Sequence, residues 1–217
     1  MIGPLLIDPS EKMYEREPDG TSEALLESAR RLLASEGAGA LTVRRIANGV
    51  GLSTMNVYSR FGGKDGIIDV LYRESFAKLF EMLADVPRTS DLRANLRAFT
   101  SAYRKFAVEH RHQYDLMFRS AAPEFTPSRE ARDMGLSLLD TLIARVELAQ
   151  SEGLVTSSIP SRQVAVWVWA TLHGMLSLEF DGVGSEVVDW PQAWDAAIDN
   201  IASILSGETS GLPESAP

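Results

Sequence analysis

The sequence predicts an all-α protein of about nine helices, with a small N-terminal head of three helices and a larger helical body. Three observations carry this. Apolar residues recur at helical spacing along most of the 217-residue chain. No stretch alternates apolar and polar residues between turn signals, as a half-buried strand would. The breaks between periodic segments are short and marked by Gly or Pro, the residues that end helices.

Residues 1–20 hold two basic and five acidic side chains, show no sustained period and read as a flexible arm in which Met13 is a second candidate start. From Thr21 the period is helical: Leu25, Ala29 and Leu32 share a face with Leu26 and Leu33 beside them. Thr21 or Ser22 can cap this helix, and Gly37 ends it. After the break "GAGA", Val43, Ile46, Ala47 and Val50 mark a short helix over residues 42–50. Gly51 is the next break, and Ser53 can cap a very short helix reaching about Tyr58. "FGGK" interrupts again, and a long helix runs from Lys64 until Pro87 closes it.

Body helices follow over about 91–110, 113–121 and 128–152, the last ended by Gly153. Pro160 opens a helix to about Phe180 that is apolar nearly all round, and Pro191 to Leu205 is the last helix. Residues 207–217, rich in Gly, Ser, Pro and Glu, read as a disordered tail. No internal repeat is present.

Composition excludes several chemistries. The chain has no cysteine, which removes disulfides, thiolate zinc sites and cysteine nucleophiles. No apolar run approaches the ~18 residues of a membrane span. The N-terminus lacks a basic n-region and a cleavage pattern, so a soluble, cytoplasmic protein is the expectation. His110 and His112 lie two apart, so a helix points them to different sides, and no carboxylate completes a metal set. There is no nucleophile elbow and no phosphate-cradling loop, and "GVGSE" at Gly182 lacks a preceding strand. No enzyme, metal or cofactor is expected.

The formal net charge is -9, but it is unevenly placed. Residues 21–73 balance to +2 and residues 74–217 to -8. A local basic face acts over a Debye length of only about 8 Å, so a remote acidic body does not forbid phosphate binding. Short helices separated by Gly breaks before a long helix outline a helix-turn-helix module. In that module the helix from Thr42 crosses the DNA backbone and the helix from Ser53 enters the major groove. Leu52 and Val57 look inward. Ser53, Thr54, Met55, Asn56, Ser59 and Arg60 are then left for the groove, small or hydrogen-bonding groups that suit base edges. Arg44 can reach a guanine edge or a phosphate, and Thr42, Tyr58 and Lys64 are placed for phosphates. Tyr58 also fits plain packing, and Phe61 reads as a core plug rather than a base-stacking group.

At "LTVRRIANGVGLSTMNVYSRFGGKDGII", residues 41–68, the chain resembles the TetR family of bacterial transcriptional regulators. Arg60 stands where that family usually has His, and Met55 where Gly or Pro is usual. The C-terminal part is similar to the WHG subgroup of the family at "HRHQYDLMF", residues 110–118, and "WATLHGMLSLEF", residues 169–180. The resemblance implies a DNA-binding domain over 21–66 and an effector-binding and dimerisation domain over 67–206. It implies a homodimer, most often a repressor, on a palindromic double-stranded operator. A small apolar or amphipathic effector would release that operator.

Met82, Phe99, Tyr103, Phe106, Tyr114, Met117, Phe118, Trp167 and His173 are ordinary core residues on their own. The resemblance makes them candidate pocket lining. Trp169, Leu172, Leu176, Trp194, Ile198 and Ile201 are candidates for the dimer interface, because the helix ending at Phe180 is too apolar to face water. Two other classes stay open: a small-molecule-binding protein with a vestigial DNA head, and an enzyme assembled from distant residues.

Overall fold

The computed structural model describes residues 19–119, 122, 124–184 and 186–207, so the expected arm and tail lie almost wholly outside it. Among the described residues there are nine α-helices and no strand. They are α1 (Gly20–Glu36), α2 (Val43–Asn48), α3 (Thr54–Phe61), α4 (Lys64–Ala84), α5 (Leu92–Glu109), α6 (Arg111–Phe118), α7 (Arg129–Ser151), α8 (Ser161–Phe180) and α9 (Trp190–Ser206). "GAGA" closes into a short 3-10 turn, Ala38–Ala40.

The helix starts correct two expectations. α1 is capped by Asp19 and not by Thr21 or Ser22; its carboxylate accepts the Ser22 amide at 2.7 Å. Aspartate suits this place because it satisfies an orphan N–H and faces the positive end of the helix dipole. Ser53 does occupy the position before α3 but makes no capping bond there. Its hydroxyl accepts from the Asn56 side chain at 3.2 Å instead.

The chain divides into two compact units. One holds α1–α4, α6, residues 105–109 of α5 and residues 129–138 of α7. Its core in the head is Leu25, Leu26, Ala29, Leu33, Ile46, Ala47, Val57, Ile67, Ile68 and Leu71, with Leu52 and Phe61 packed against it. Fully burying a Leu, Ile or Val side chain is worth about 1.5–3 kcal/mol. Polar ties fix the angles between helices. The buried Ser28 hydroxyl donates to the Ile46 carbonyl at 2.9 Å, joining α1 to α2. Arg30 grips Glu74 of α4 with two bonds, at 2.9 and 2.7 Å. Asp69 of α4 accepts the Ser128 amide at 2.7 Å and its hydroxyl at 2.9 Å, which anchors the start of α7.

The other unit holds residues 92–104 of α5, residues 139–151 of α7, α8 and α9. Its core is Val164, Val168, Leu172 and Leu176 of α8 with Trp194, Ile198, Ile201, Ala202 and Leu205 of α9. Glu179 of α8 ties three helices. It pairs with Arg104 of α5 and accepts the Trp194 indole N–H at 2.9 Å. Burial works to raise the Glu179 pKa, but the bonds from Arg104 and Trp194 outweigh it and hold it below the usual carboxylate value.

This packing bears on the six residues expected at a dimer interface. Leu172, Leu176, Trp194, Ile198 and Ile201 are buried within their own protomer. Trp169 is half-buried and donates to the Tyr103 hydroxyl at 3.3 Å. The outward stripe of α8 lies elsewhere on the wheel: Val166, Trp167, Ala170, Gly174 and Leu178. Ala196, Asn200 and Ile204 form the exposed stripe of α9. An apolar helix offers no sequence period that separates its inward face from its outward one.

Candidate nucleic-acid interface and body cavity

The turn between α2 and α3 works because Gly51 takes φ 68°, a conformation that costs other residues a Cβ clash. Val57 is the fully buried residue of α3, and with Phe61 one turn later it sets the rotation of the helix. Thr54, Met55, Tyr58, Ser59 and Arg60 consequently face solvent, and Asn56 is half-buried. Met55 is 70% exposed, the largest apolar projection of the helix. Phe61 is half-buried against the head core, as a plug. Just after it, Gly66 sits so close to the end of α3 that any Cβ would collide with the Phe61 carbonyl oxygen. The junction of α3 and α4 is therefore tight, and it fixes α3 relative to Lys64.

Thr42 is exposed and starts α2; its oxygen accepts the Arg45 amide at 3.2 Å, which leaves the hydroxyl proton for another acceptor. Arg44 is exposed and has no ion pair among the described residues. Its neighbour Arg45 is held by Glu36 through two bonds, at 2.9 and 2.6 Å. Those hydrogen bonds lower the Glu36 pKa and raise that of Arg45. Arg60 is held as well. It donates to both Asp19 oxygens, at 3.3 and 3.2 Å, and to the Asn56 side-chain oxygen at 3.1 Å. The Ser22 amide and then the Arg60 guanidinium lower the Asp19 pKa to about 2. Lys64 opens α4 and lies 4.0 Å from Glu124. Tyr58 is 55% exposed with its ring edge beside Gly63. The ten candidate DNA-facing residues thus lie on α2, α3 and the start of α4. Donors, a methyl-rich side chain and three cations flank one exposed helix.

The nine candidate pocket residues differ in their placement. Tyr103, Phe106, Tyr114 and Met117 are buried, and Met82, Phe118 and His173 are half-buried. Trp167 is on the outward face of α8. Phe118 stacks edge-on to Phe76 at 5.6 Å and lies 5.1 Å from Tyr114, as core aromatics do. His110 lies against Phe106, and His112 against the backbone of Gly37, so the two histidines point apart.

A cavity of about 80 Å³ is lined from elsewhere, and Phe99 is the one expected residue in it. Two stripes of identical spacing form its walls: Leu92, Asn95, Leu96 and Phe99 on α5, and Leu142, Arg145, Val146 and Ala149 on α7. Arg88, Val155, Val168 and Leu205 complete it. The Arg145 guanidinium lies 5.6 Å from the centre of the Phe99 ring. The sequence held one signal for this site: Arg145 interrupts an otherwise apolar helical stripe.

Two family models match this chain. "Bacterial regulatory proteins, tetR family" covers residues 25–71, and "Tetracyclin repressor-like, C-terminal domain" covers residues 96–201. The HTH-type transcriptional repressor KstR2 of Mycolicibacterium smegmatis is 26% identical over 140 residues, 59% of this chain and 67% of its own. Among solved structures, a protein of unknown function from Rhodococcus sp. RHA1 superposes with a TM-score of 0.72 at 23% identity, covering 89% of this chain and 98% of that one. The TetR family transcriptional regulator PfmR from Thermus thermophilus gives a TM-score of 0.61 at 20% identity, covering 82% and 96%. With the reading head and the body both matched, the chain belongs to the TetR family of DNA-binding transcriptional regulators.

Proposed function

We propose that the protein is a ligand-responsive repressor that binds a palindromic operator as a homodimer in the cytoplasm. The observation that carries this is the rotation of α3 about its buried Val57. Burial of Val57 turns Thr54, Met55, Ser59 and Arg60 outward together, with Arg44, Tyr58 and Lys64 on the flanks where phosphates would lie. In this reading Thr42, Ser53 and Asn56 complete the contact surface.

Two copies would meet through the outward stripes of α8 and α9, around Val166, Trp167, Leu178 and Ile204. Each of these four is at least 36% exposed. An apolar stripe of that extent supports a self-complementary interface. Two-fold symmetry would then make the reading helices an inverted pair, and a separation of roughly one DNA turn would match a palindromic operator. The domain division in this reading is a DNA-binding part over 21–66 and an effector and dimerisation part over 67–206.

The effector would occupy the body and favour a geometry in which the two heads no longer match the half-sites. It shifts that equilibrium only by its differential affinity for the two states. The test begins with duplexes that the protein selects from its own genome, followed by footprinting. A protected site with two inverted half-sites is expected, and Trp167→Glu should yield monomers that lose it. A single protected half-site, or full protection by the Trp167→Glu variant, overturns the dimeric reading.

A further inference from the structure

Resting on the reading of α3 as the helix that enters the groove, we propose that Met55 specifies a thymine in each half-site by packing against the 5-methyl group of that base. A helix turns by about 100° per residue. Met55, two residues before Val57, therefore stands about 160° from that buried anchor, and Thr54, three before it, about 60° away. Met55 projects straight out of the head, and at 70% exposure it does so as an apolar group in water. It lies in the first turn of α3, the part of a reading helix that meets base edges.

The polar side chains around it are engaged with one another. Asn56 donates to the Ser53 hydroxyl at 3.2 Å, and its side-chain oxygen accepts from Arg60 at 3.1 Å. The Ser59 hydroxyl donates to the Asn56 carbonyl at 3.3 Å. Arg60 is held further by both Asp19 oxygens. A base contact from any of these must first break a bond already made, whereas Met55 gives up only water. The major groove offers hydrogen-bonding atoms at every base pair and one apolar group, the methyl of thymine. A thioether set against guanine O6 and N7, or against the amino group of adenine or cytosine, would strip water from them and return no hydrogen bond. Against the thymine methyl it buries hydrocarbon on both sides. The unbranched side chain of methionine can also adjust its bonds to settle on that methyl. Cytosine carries only a C–H at the same place, so the order of preference is thymine, then cytosine, then the purines.

The experiment starts from duplexes that the full chain selects from a randomised pool. Each thymine of the selected site is replaced in turn by deoxyuridine, which deletes the methyl and keeps the pairing. At one thymine of each half-site the replacement should weaken the parent's binding about fourfold, the worth of one buried carbon group. Met55→Ala should bind the thymine and deoxyuridine duplexes alike, and its own selection should lose the thymine at that position. Met55→Gln keeps the length but ends in an amide. It should lose the methyl effect too, and it serves as the reading if the alanine variant binds too weakly to measure. Met55→Leu keeps the hydrocarbon and should keep the effect. A methyl effect that survives both Met55→Ala and Met55→Gln, one that vanishes in Thr54→Ser instead, or a selected site indifferent to every thymine methyl overturns the proposal and leaves the docking of α3 standing. A parent that selects no sequence at all overturns that docking, and the assignment of Met55 with it.

Discussion

Replacing Asp19 with asparagine tests how the head stores its positive charge. Asparagine caps a helix about as well as aspartate, so α1 keeps its start. The neutral amide cannot hold Arg60 as an ion. In the parent, Arg60 lies 3.2–3.3 Å from the Asp19 oxygens, and the two side chains are 27% and 60% exposed. When Arg60 leaves this carboxylate for a phosphate, the phosphate releases a counterion and Asp19 takes one up. The parent therefore gains no net release from Arg60. In the Asp19→Asn variant the release is uncompensated, and each phosphate contact contributes about 0.9 to the slope of log affinity against log salt. The variant's slope on random duplex should steepen by about 0.9, which is about a threefold larger loss between 50 and 200 mM salt. Fluorescence anisotropy across that range measures it. Adding Arg60→Gln should return the slope to the parental value. If Asp19→Asn and the parent share one slope while circular dichroism shows α1 intact, Arg60 does not pass from Asp19 to a phosphate and the exchange reasoning is wrong.

Lys64→Ala should weaken binding to all duplexes alike and flatten the salt slope by about 1, while Arg44→Ala should also relax base preference in a selection experiment. Gly66→Ala forces a methyl group against the Phe61 carbonyl, which is backbone and cannot swing away. It should cost about 1–3 kcal/mol, a fall of several degrees in the thermal midpoint. Glu179→Gln leaves the Arg104 charge without its carboxylate and should cost about 1–2 kcal/mol, discounted because Arg104 is about a third exposed. The Glu179 pKa is lowered on folding, so its contribution is present above the unfolded value of 4.5 and is lost as pH falls through the folded value. Urea midpoints measured downward from pH 5 should therefore fall more steeply for the parent than for Glu179→Gln.

The head was legible because its physics is local. Gly breaks, a buried valine and short helical periods sit within about thirty residues, and each constrains the next. The helix ends were less legible. Asp19, Thr21 and Ser22 are all acceptable caps, and only the entry direction of the chain chooses among them. The body resisted for a different reason. In α8, apolar residues occupy both faces, so Leu172 and Leu176 cannot be told from Trp167 and Leu178 without the helices they meet. The cavity was missed because large aromatics draw attention as lining, whereas Tyr103, Phe106 and Tyr114 fill space rather than enclose it. Its walls are mostly Leu, Val and Ala, with Phe99, Asn95 and two arginines among them, a pattern that reads as core until two stripes are brought face to face.

The balance of +2 over residues 21–73 understates the charge that the head can present and overstates what it presents at rest. Of its seven cations, six lie within 4.0 Å of a carboxylate, and Arg44 alone does not among the described residues. The pairs are not equivalent. Glu74 and Asp69 are 16% and 14% exposed, so their bonds to Arg30 and Arg73 belong to the fold. Glu36, Asp19 and Glu124 are exposed, and pairs of that kind are weak and easily exchanged. Arg45 and Arg60 are thus held in reserve, available to a phosphate that can replace the carboxylate in place, whereas Lys64, 4.0 Å from a carboxylate that is 90% exposed, is a charge the head already presents. A head built this way attracts random duplex poorly and gains charge only when the geometry is right. Glu36→Gln should release Arg45 as Asp19→Asn releases Arg60. The two pairs share no partner, so their effects should add, and the double variant's salt slope should exceed the parent's by about 1.8. A double variant no steeper than either single one would show that one phosphate serves both arginines, and the reserve would then be a single charge.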